Sequence, residues 1–246
     1  YRQGGTADTG PIVNYTEERL LRAVYDTLRG YGLAGLTPDP DRVYVYGGSM
    51  GGSGALALAL RYPNVFAAAH AGEPMTNYAA SDGAGGTTPW VNDVAWKWGS
   101  RAANLPIRNV GRYAAHLAAY DGTGVWDWQN HQAQLTARRG DEAALISLNH
   151  GTQDTIIAWA SQGQPMYAAL YAGRRAFSAA VEDADHTWLG FAGSGPMLAY
   201  ETTWAPFHDW QARRTETVPG LSYATGSSPV PPTGPASYNL NLEWSA

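Results

Sequence analysis

No cysteine occurs among the 246 residues, so disulfides, thiolate metal sites and a cysteine nucleophile are excluded together. Lysine is almost missing as well: Lys97 stands alone, and the arginines are scattered along a chain of formal net charge −5. Without a basic stripe to follow a phosphate backbone, nucleic acid is not an expected partner. Charged residues amount to only 15%, against ~25% in an average soluble domain. No apolar run reaches the ~18–20 residues that a membrane helix requires, which argues against a membrane partner. The polar, glycine-rich stretch Tyr1–Gly10 lacks the apolar segment of a leader. Glycine (29), proline (15), tyrosine (15) and tryptophan (10) are plentiful, and 44% of the chain is apolar. That composition supports a sizeable folded core and excludes disorder and coiled coil.

Residues 1–15 read as loop. Leu20, Leu21, Val24, Tyr25 and Leu28 recur at helical spacing, predicting a helix over 16–29 with Asn14 as its cap and Glu17 three residues on. Arg42–Tyr46 is β-branched and aromatic, a strand signature. It runs into Gly47-Gly48-Ser49-Met50-Gly51-Gly52 and then into an alanine- and leucine-rich helix ending near Arg61. Further strands are expected at Val65–Ala71, Ala143–Leu148 and Ala176–Val181, with a helix over Gly163–Ala172. Strands alternating with helices predict an α/β fold, a mostly parallel sheet covered on both faces. The stretch from about 73 to 142 lacks that rhythm and carries Trp90, Trp96, Trp98, Trp126 and Trp128; it reads as an insertion over the sheet. Residues 1–214 thus form the expected main domain and 215–237 a Pro/Gly/Ser-rich linker. Residues 238–246 alternate like the first strand of a further, truncated β-module.

Gly47-x-Ser49-x-Gly51 between a strand and a helix is the informative motif. A serine on so sharp a turn projects its hydroxyl beyond the sheet, and Gly47, Gly48, Gly51 and Gly52 supply the small neighbours the turn needs. The alternative is a glycine-rich turn whose serine merely caps a helix. As a nucleophile, Ser49 needs a base and an orienting acid. Of six histidines (His70, His116, His131, His150, His186 and His208), His186 is best placed, following the last expected strand. Asp154, in a polar turn after the strand ending at Leu148, is the candidate acid. Asp183 and Asp185 lie too near His186 in sequence to reach it from across a site, and are expected to stiffen its loop. His150 reads as a loop residue bonded to backbone, and His70 as a post-strand residue near the site.

Ser49, Asp154 and His186, in that order, resemble the triad of the α/β-hydrolase superfamily. The segment Val43–Met75 and the loop His150–Asp154 are similar to those of polymer-degrading esterases and of prolyl-oligopeptidase-like catalytic domains. The resemblance covers about residues 16–212. It implies an acyl-enzyme mechanism, with the Met50 N–H as one oxyanion donor. It also implies strands ahead of the nucleophile strand that the 41 residues before Arg42 are too few to hold, so a fragment is expected whose sheet a missing N-terminal segment completes.

Other signals carry less. Gly30-x-Gly32-x-x-Gly35 follows a helix and precedes a strand, the reverse of a dinucleotide-binding turn. His70 and Glu73 share a loop without forming a ligand set, so neither metal nor cofactor is expected. Gly48, Trp188, Trp126 and Trp128 are candidates to touch substrate, although packing is the simpler role for the insertion's tryptophans. The expected function is serine-dependent hydrolysis of a carboxylic ester, small or polymeric. The alternatives are a prolyl-oligopeptidase-type peptidase and a non-catalytic polymer-binding fragment. Low charge, aromatic richness and the linker point to a secreted or periplasmic protein.

Overall fold

The computed structural model describes residues 8–31, 34–81, 90–186, 212–216 and 236–238. In chain order the elements begin with β1 (Ile12–Val13), α1 (Tyr15–Leu28), β2 (Tyr44–Gly48), α2 (Met50–Arg61) and β3 (Ala68–Gly72). The insertion holds α3 (Trp90–Trp98), β4 (Ile107–Arg108), a 3-10 segment (Arg112–Tyr120), α4 (Val125–Trp128) and α5 (His131–Ala137). Then come β5 (Leu145–Gly151), a π-turn (Trp159–Gly163), α6 (Gln164–Ala172), β6 (Phe177–Glu182) and β7 (Ala236–Tyr238). Asn14 caps α1 as its sequence position suggests: Oδ1 accepts the Glu17 N–H, and Nδ2 donates to the Glu17 carboxylate at 2.6 Å.

The main sheet has the order β2-β3-β5-β6-β7. Its first four strands are parallel, and β7 pairs antiparallel with the outer edge of β6. Ala236–Tyr238, at the junction of the expected linker and β-module, thus lies on the main sheet, and the rest of the strand expected there, 239–246, falls outside the described residues. Each of the four parallel strands starts one to three residues later than its sequence pattern suggests. β2 also ends later than expected, because Gly47 and Gly48, readable as turn, pair with Ala71 and Gly72 before the chain bends. No described strand lies on the outer side of β2.

Among the described residues, the insertion contributes no strand to this sheet. The reading of 1–15 as loop is corrected, because Ile12–Val13 pairs in parallel with Ile107–Arg108 of the insertion. Two residues with so little periodicity leave no local trace; their pairing is tertiary.

Helix α2 joins the two halves of the core. Ala55 through Leu60 are all buried, so the helix is apolar on every side rather than along one stripe. It shares one cluster with Leu21 of α1, Leu117 and Trp128 of the insertion, Ile146 and Leu148 of β5, and Met166 and Leu170 of α6. β3 and β5 are buried along their whole length, as parallel strands covered on both faces must be.

The register fixes where chemistry can occur. Gly48 lies opposite Gly72, and Gly72 opposite Asn149, so neighbouring strands end nearly level. The chain emerging from those ends carries Ser49 after β2, Glu73 after β3, Asp154 after β5 and His186 after β6. Ligand sites in such sheets lie beyond the carboxyl ends of the strands.

Candidate active site

Ser49 sits between β2 and α2 with φ 54° and ψ −119°, a left-handed backbone that a non-glycine residue adopts only under constraint. Its N–H donates to the Gly72 carbonyl at 2.8 Å, and its carbonyl accepts from the Ser53 N–H at 2.9 Å. Ser53 Oγ also donates to that carbonyl at 3.0 Å and accepts the Met75 N–H at 2.8 Å, tying the turn to the loop after β3. Two glycines permit the close approach. A Cβ on Gly47 would lie 2.4 Å from the Gly51 carbonyl, and one on Gly52 would lie 2.3 Å from the Gly72 oxygen. Gly51 itself faces open space, so the expectation that it too must be small is corrected.

The residues singled out in the sequence come together. Ser49 Oγ is 2.8 Å from His186 Nε2, and His186 Nδ1 is 2.8 Å from Asp154 Oδ2. With the proton on Nδ1 the ring donates to the carboxylate and accepts the serine hydroxyl. The other Asp154 oxygen accepts the N–H groups of Ile156 and Ile157 at 2.8 and 2.7 Å, which fixes the carboxylate. Asp185 Oδ1 accepts from the Thr155 N–H and hydroxyl and from the His186 N–H, while Asp183 Oδ1 accepts from Thr152 and Gln153. These two aspartates therefore staple the histidine loop to the acid loop. The Asp154 hydrogen bond raises the His186 pKa above its ordinary 6.5, with burial opposing and the charges of Asp154, Glu73 and Asp185 adding to the rise.

Glu73, which its sequence position near His70 does not mark as a triad member, also reaches the site. It is 1% exposed, and its Oε2 approaches His186 Nδ1 to 3.4 Å. Its backbone is left-handed at φ 46°, held by an N–H donated to the Asn149 carbonyl at 2.9 Å. The available signal was a lone acid directly after an apolar strand next to β2. Among the described residues, Glu73, Asp154 and His186 are the group that could also hold a metal, their ligand atoms lying within 4.8 Å of one another. Both ring nitrogens of His186, however, are engaged by Ser49 and Asp154.

Other candidates resolve differently. Met50 is the first residue of α2, where a backbone N–H has no acceptor within the helix, and its side chain is exposed. Gly48 ends β2 and is buried. Trp126 and Trp128 are buried packing residues, the simpler of the two roles open to them, rather than residues placed to touch substrate. Trp126 stands edge-on to Trp98 at 5.6 Å and donates Nε1–H to the Gly99 carbonyl; Trp128 lies beneath the Arg61 guanidinium at 4.7 Å. Trp188 and His208 lie outside the described residues. His70 lies within β3 rather than after it, with Nδ1 3.1 Å from Ser147 Oγ, and burial pushes its pKa down to about 4. His150 lies within β5, one residue before its end, rather than in a loop, and is bonded to the Ile157 carbonyl at 2.7 Å.

A parallel sheet whose strand ends deliver a serine on a strained turn, a histidine and an acid has the architecture of the α/β-hydrolase class of folds. Within that class the chain belongs to the Esterase family, described as "Putative esterase", whose model matches residues 14–192. No curated protein matches the sequence. Among solved structures, the fold is similar to the Pyrococcus horikoshii acylaminoacyl peptidase (orthorhombic crystal form). The TM-score is 0.55 at 14% identity, over 84% of this chain and 30% of that one. It is also similar to an acylaminoacyl peptidase in complex with Z-Gly-Gly-Phe-chloromethyl ketone, with a TM-score of 0.51 at 12% identity, over 82% and 28% of the two chains. The chain thus spans less than a third of the length of these two structures.

Proposed function

We propose that the chain hydrolyses carboxylic esters through an acyl-enzyme on Ser49. The observation that carries this is the unbroken hydrogen-bonded line from Ser49 through His186 to Asp154, with both links at 2.8 Å. Ser49 Oγ attacks the ester carbon while His186 Nε2 takes its proton. The resulting imidazolium keeps its Nδ1–H on Asp154, and the Nε2 proton then goes to the departing alcohol. The tetrahedral oxyanion forms beside the start of α2, where the Met50 N–H and the positive end of a 12-residue helix stabilise it. Water, deprotonated by the same histidine, releases the acid and restores the serine.

Ester rather than peptide cleavage is favoured by the family match over residues 14–192. The peptidase neighbours speak for the fold. The test is labelling with a fluorophosphonate, followed by turnover of p-nitrophenyl esters against peptide p-nitroanilides. Label on Ser49 and ester turnover that Ser49→Ala lowers by about 10⁶ support the proposal. Activity that survives Ser49→Ala refutes the nucleophile, and a preference for the anilides refutes the substrate class.

A further inference from the structure

We propose that Glu73 is a second orienting carboxylate for His186, a positioning residue that shares the imidazole Nδ1–H with Asp154. The inference rests on the serine-hydrolase reading and adds a residue to its machinery. Glu73 emerges from β3 and Asp154 from the turn after β5, and their side chains meet the same ring nitrogen, at 3.4 and 2.8 Å. Both carboxylates are buried, at 1% and 5% residue exposure. A buried anion is tolerated where an opposite charge or hydrogen bonds answer it, and Glu73 pairs with the ring that becomes cationic during catalysis. The left-handed backbone of Glu73 is a further sign that the side chain is held in place for this contact.

The chemistry follows from timing. Before attack the imidazole is neutral, and the second carboxylate gains little from it. When the Ser49 proton reaches Nε2, the ring carries a full charge facing two carboxylates instead of one. Glu73 therefore stabilises the transition state more than the resting enzyme. No proton passes to Glu73: Nδ1 keeps its hydrogen throughout, and the Nε2 proton leaves with the alcohol. Among the described residues, four groups set the charge felt by His186. Asp154 and Glu73 face Nδ1, Asp185 accepts the His186 N–H, and His150 lies behind Asp154 with Nε2 3.7 Å from Oδ2. Burial lowers the His150 pKa and keeps that ring neutral near pH 7.

In full-length protein, Glu73→Gln, Glu73→Asp, Asp154→Asn and the Glu73/Asp154 double variant separate this role from a structural one. The His186 pKa is read by NMR titration of its imidazole, which requires no turnover and so decides the proposal even for an ester-inactive chain. Glu73→Gln is expected to lower that pKa, and Glu73→Asp to restore part of the loss. In turnover, Glu73→Gln is expected to reduce kcat about five- to tenfold at unchanged KM and to move the acidic limb of the pH profile down with the His186 pKa. Removing the orienting acid costs serine proteases ~10⁴ in kcat. Asp154→Asn is expected to lose only about 10² here, and the double variant the full ~10⁴. The proposal is overturned if Glu73→Gln leaves the His186 pKa unmoved, or if Asp154→Asn alone costs ~10⁴ and the double variant no more. Asp154→Asn leaves Glu73 in place, so its residual rate decides the matter even where Glu73→Gln does not fold.

Discussion

Replacing Gly52 by alanine perturbs the nucleophile without touching it. The new Cβ would stand 2.3 Å from the Gly72 carbonyl oxygen and 3.0 Å from that of Gly47, where ordinary contact begins near 3.4 Å. About 1 Å of displacement is therefore required, and both obstacles are backbone. The Gly72 oxygen is also the acceptor that holds the Ser49 N–H at 2.8 Å, so the strain is delivered to the catalytic turn. Overpacking of this kind costs ~1–3 kcal/mol, and at ~2–4 °C per kcal/mol for a chain of this size the melting temperature falls by several degrees. A displacement of ~1 Å at a reacting group costs ~10² in rate. Gly54→Ala is the control: it lies in the same helix, nothing stands within 4 Å of its Cβ, and it should stabilise by ~0.5–1 kcal/mol. Thermal unfolding of both variants, with kcat on a p-nitrophenyl ester, provides the comparison. Equal melting temperatures for the two, with kcat of Gly52→Ala within about twofold of the parent's, would refute the close-approach argument.

Two further expectations concern the support of the site. Gln162 is 2% exposed; its Oε1 accepts the Thr76 and Asn77 N–H groups, both at 2.8 Å, and its Nε2 donates to the Asn77 carbonyl. Gln162→Leu strands the buried Thr76 N–H and the partly buried Asn77 N–H at ~1–3 kcal/mol each, so urea unfolding should show a loss of roughly 2–6 kcal/mol; a loss below 1 would mean the loop after β3 is held by other bonds. His70, whose pKa burial pushes down to about 4, stays neutral in the folded chain at pH values where the unfolded chain takes up a proton near 6.5. Stability should therefore fall as pH drops from 6.5 towards 4, by about 3 kcal/mol from this residue. His131 and His150 are also lowered by burial and act in the same direction. His70→Gln should flatten the slope of unfolding free energy over that range, and an unchanged slope would exclude His70 as its source.

What the sequence discloses about this site is what chain order and local chemistry carry. Tyr44–Gly48 is legible as a strand because aromatic and β-branched residues run into glycines, and Ser49 because a serine among small residues separates that strand from an apolar helix. Asp154 and His186 follow from their places after later strands. Glu73 is not legible in this way. Its meaning comes from the Gly72–Asn149 register, which brings β3 level with β5 and so sets two acids around one ring. The same holds for β1, a partner only through a segment almost a hundred residues away. Trp126 and Trp128 show the converse. Their composition was open to either role, and it is the surrounding guanidinium and indole rings that make them packing residues.

Arg61 closes α2 and is 2% exposed. Its guanidinium pairs with Glu17 of α1, donates to the Trp128 carbonyl and the Gln129 side chain of the insertion, and covers the Trp128 ring. Three segments distant in sequence thus share one cation at the far end of the helix that begins beside the nucleophile. An insertion lying over the sheet is an obvious part to exchange when specificity is redesigned, but this one is not a cassette. Any replacement must bring acceptors for that guanidinium and a ring beneath it, or it leaves a buried charge at the foot of the catalytic helix. Diversification of such a scaffold is therefore easiest in stretches of the insertion remote from Trp128, where new side chains can be tried without renegotiating the core.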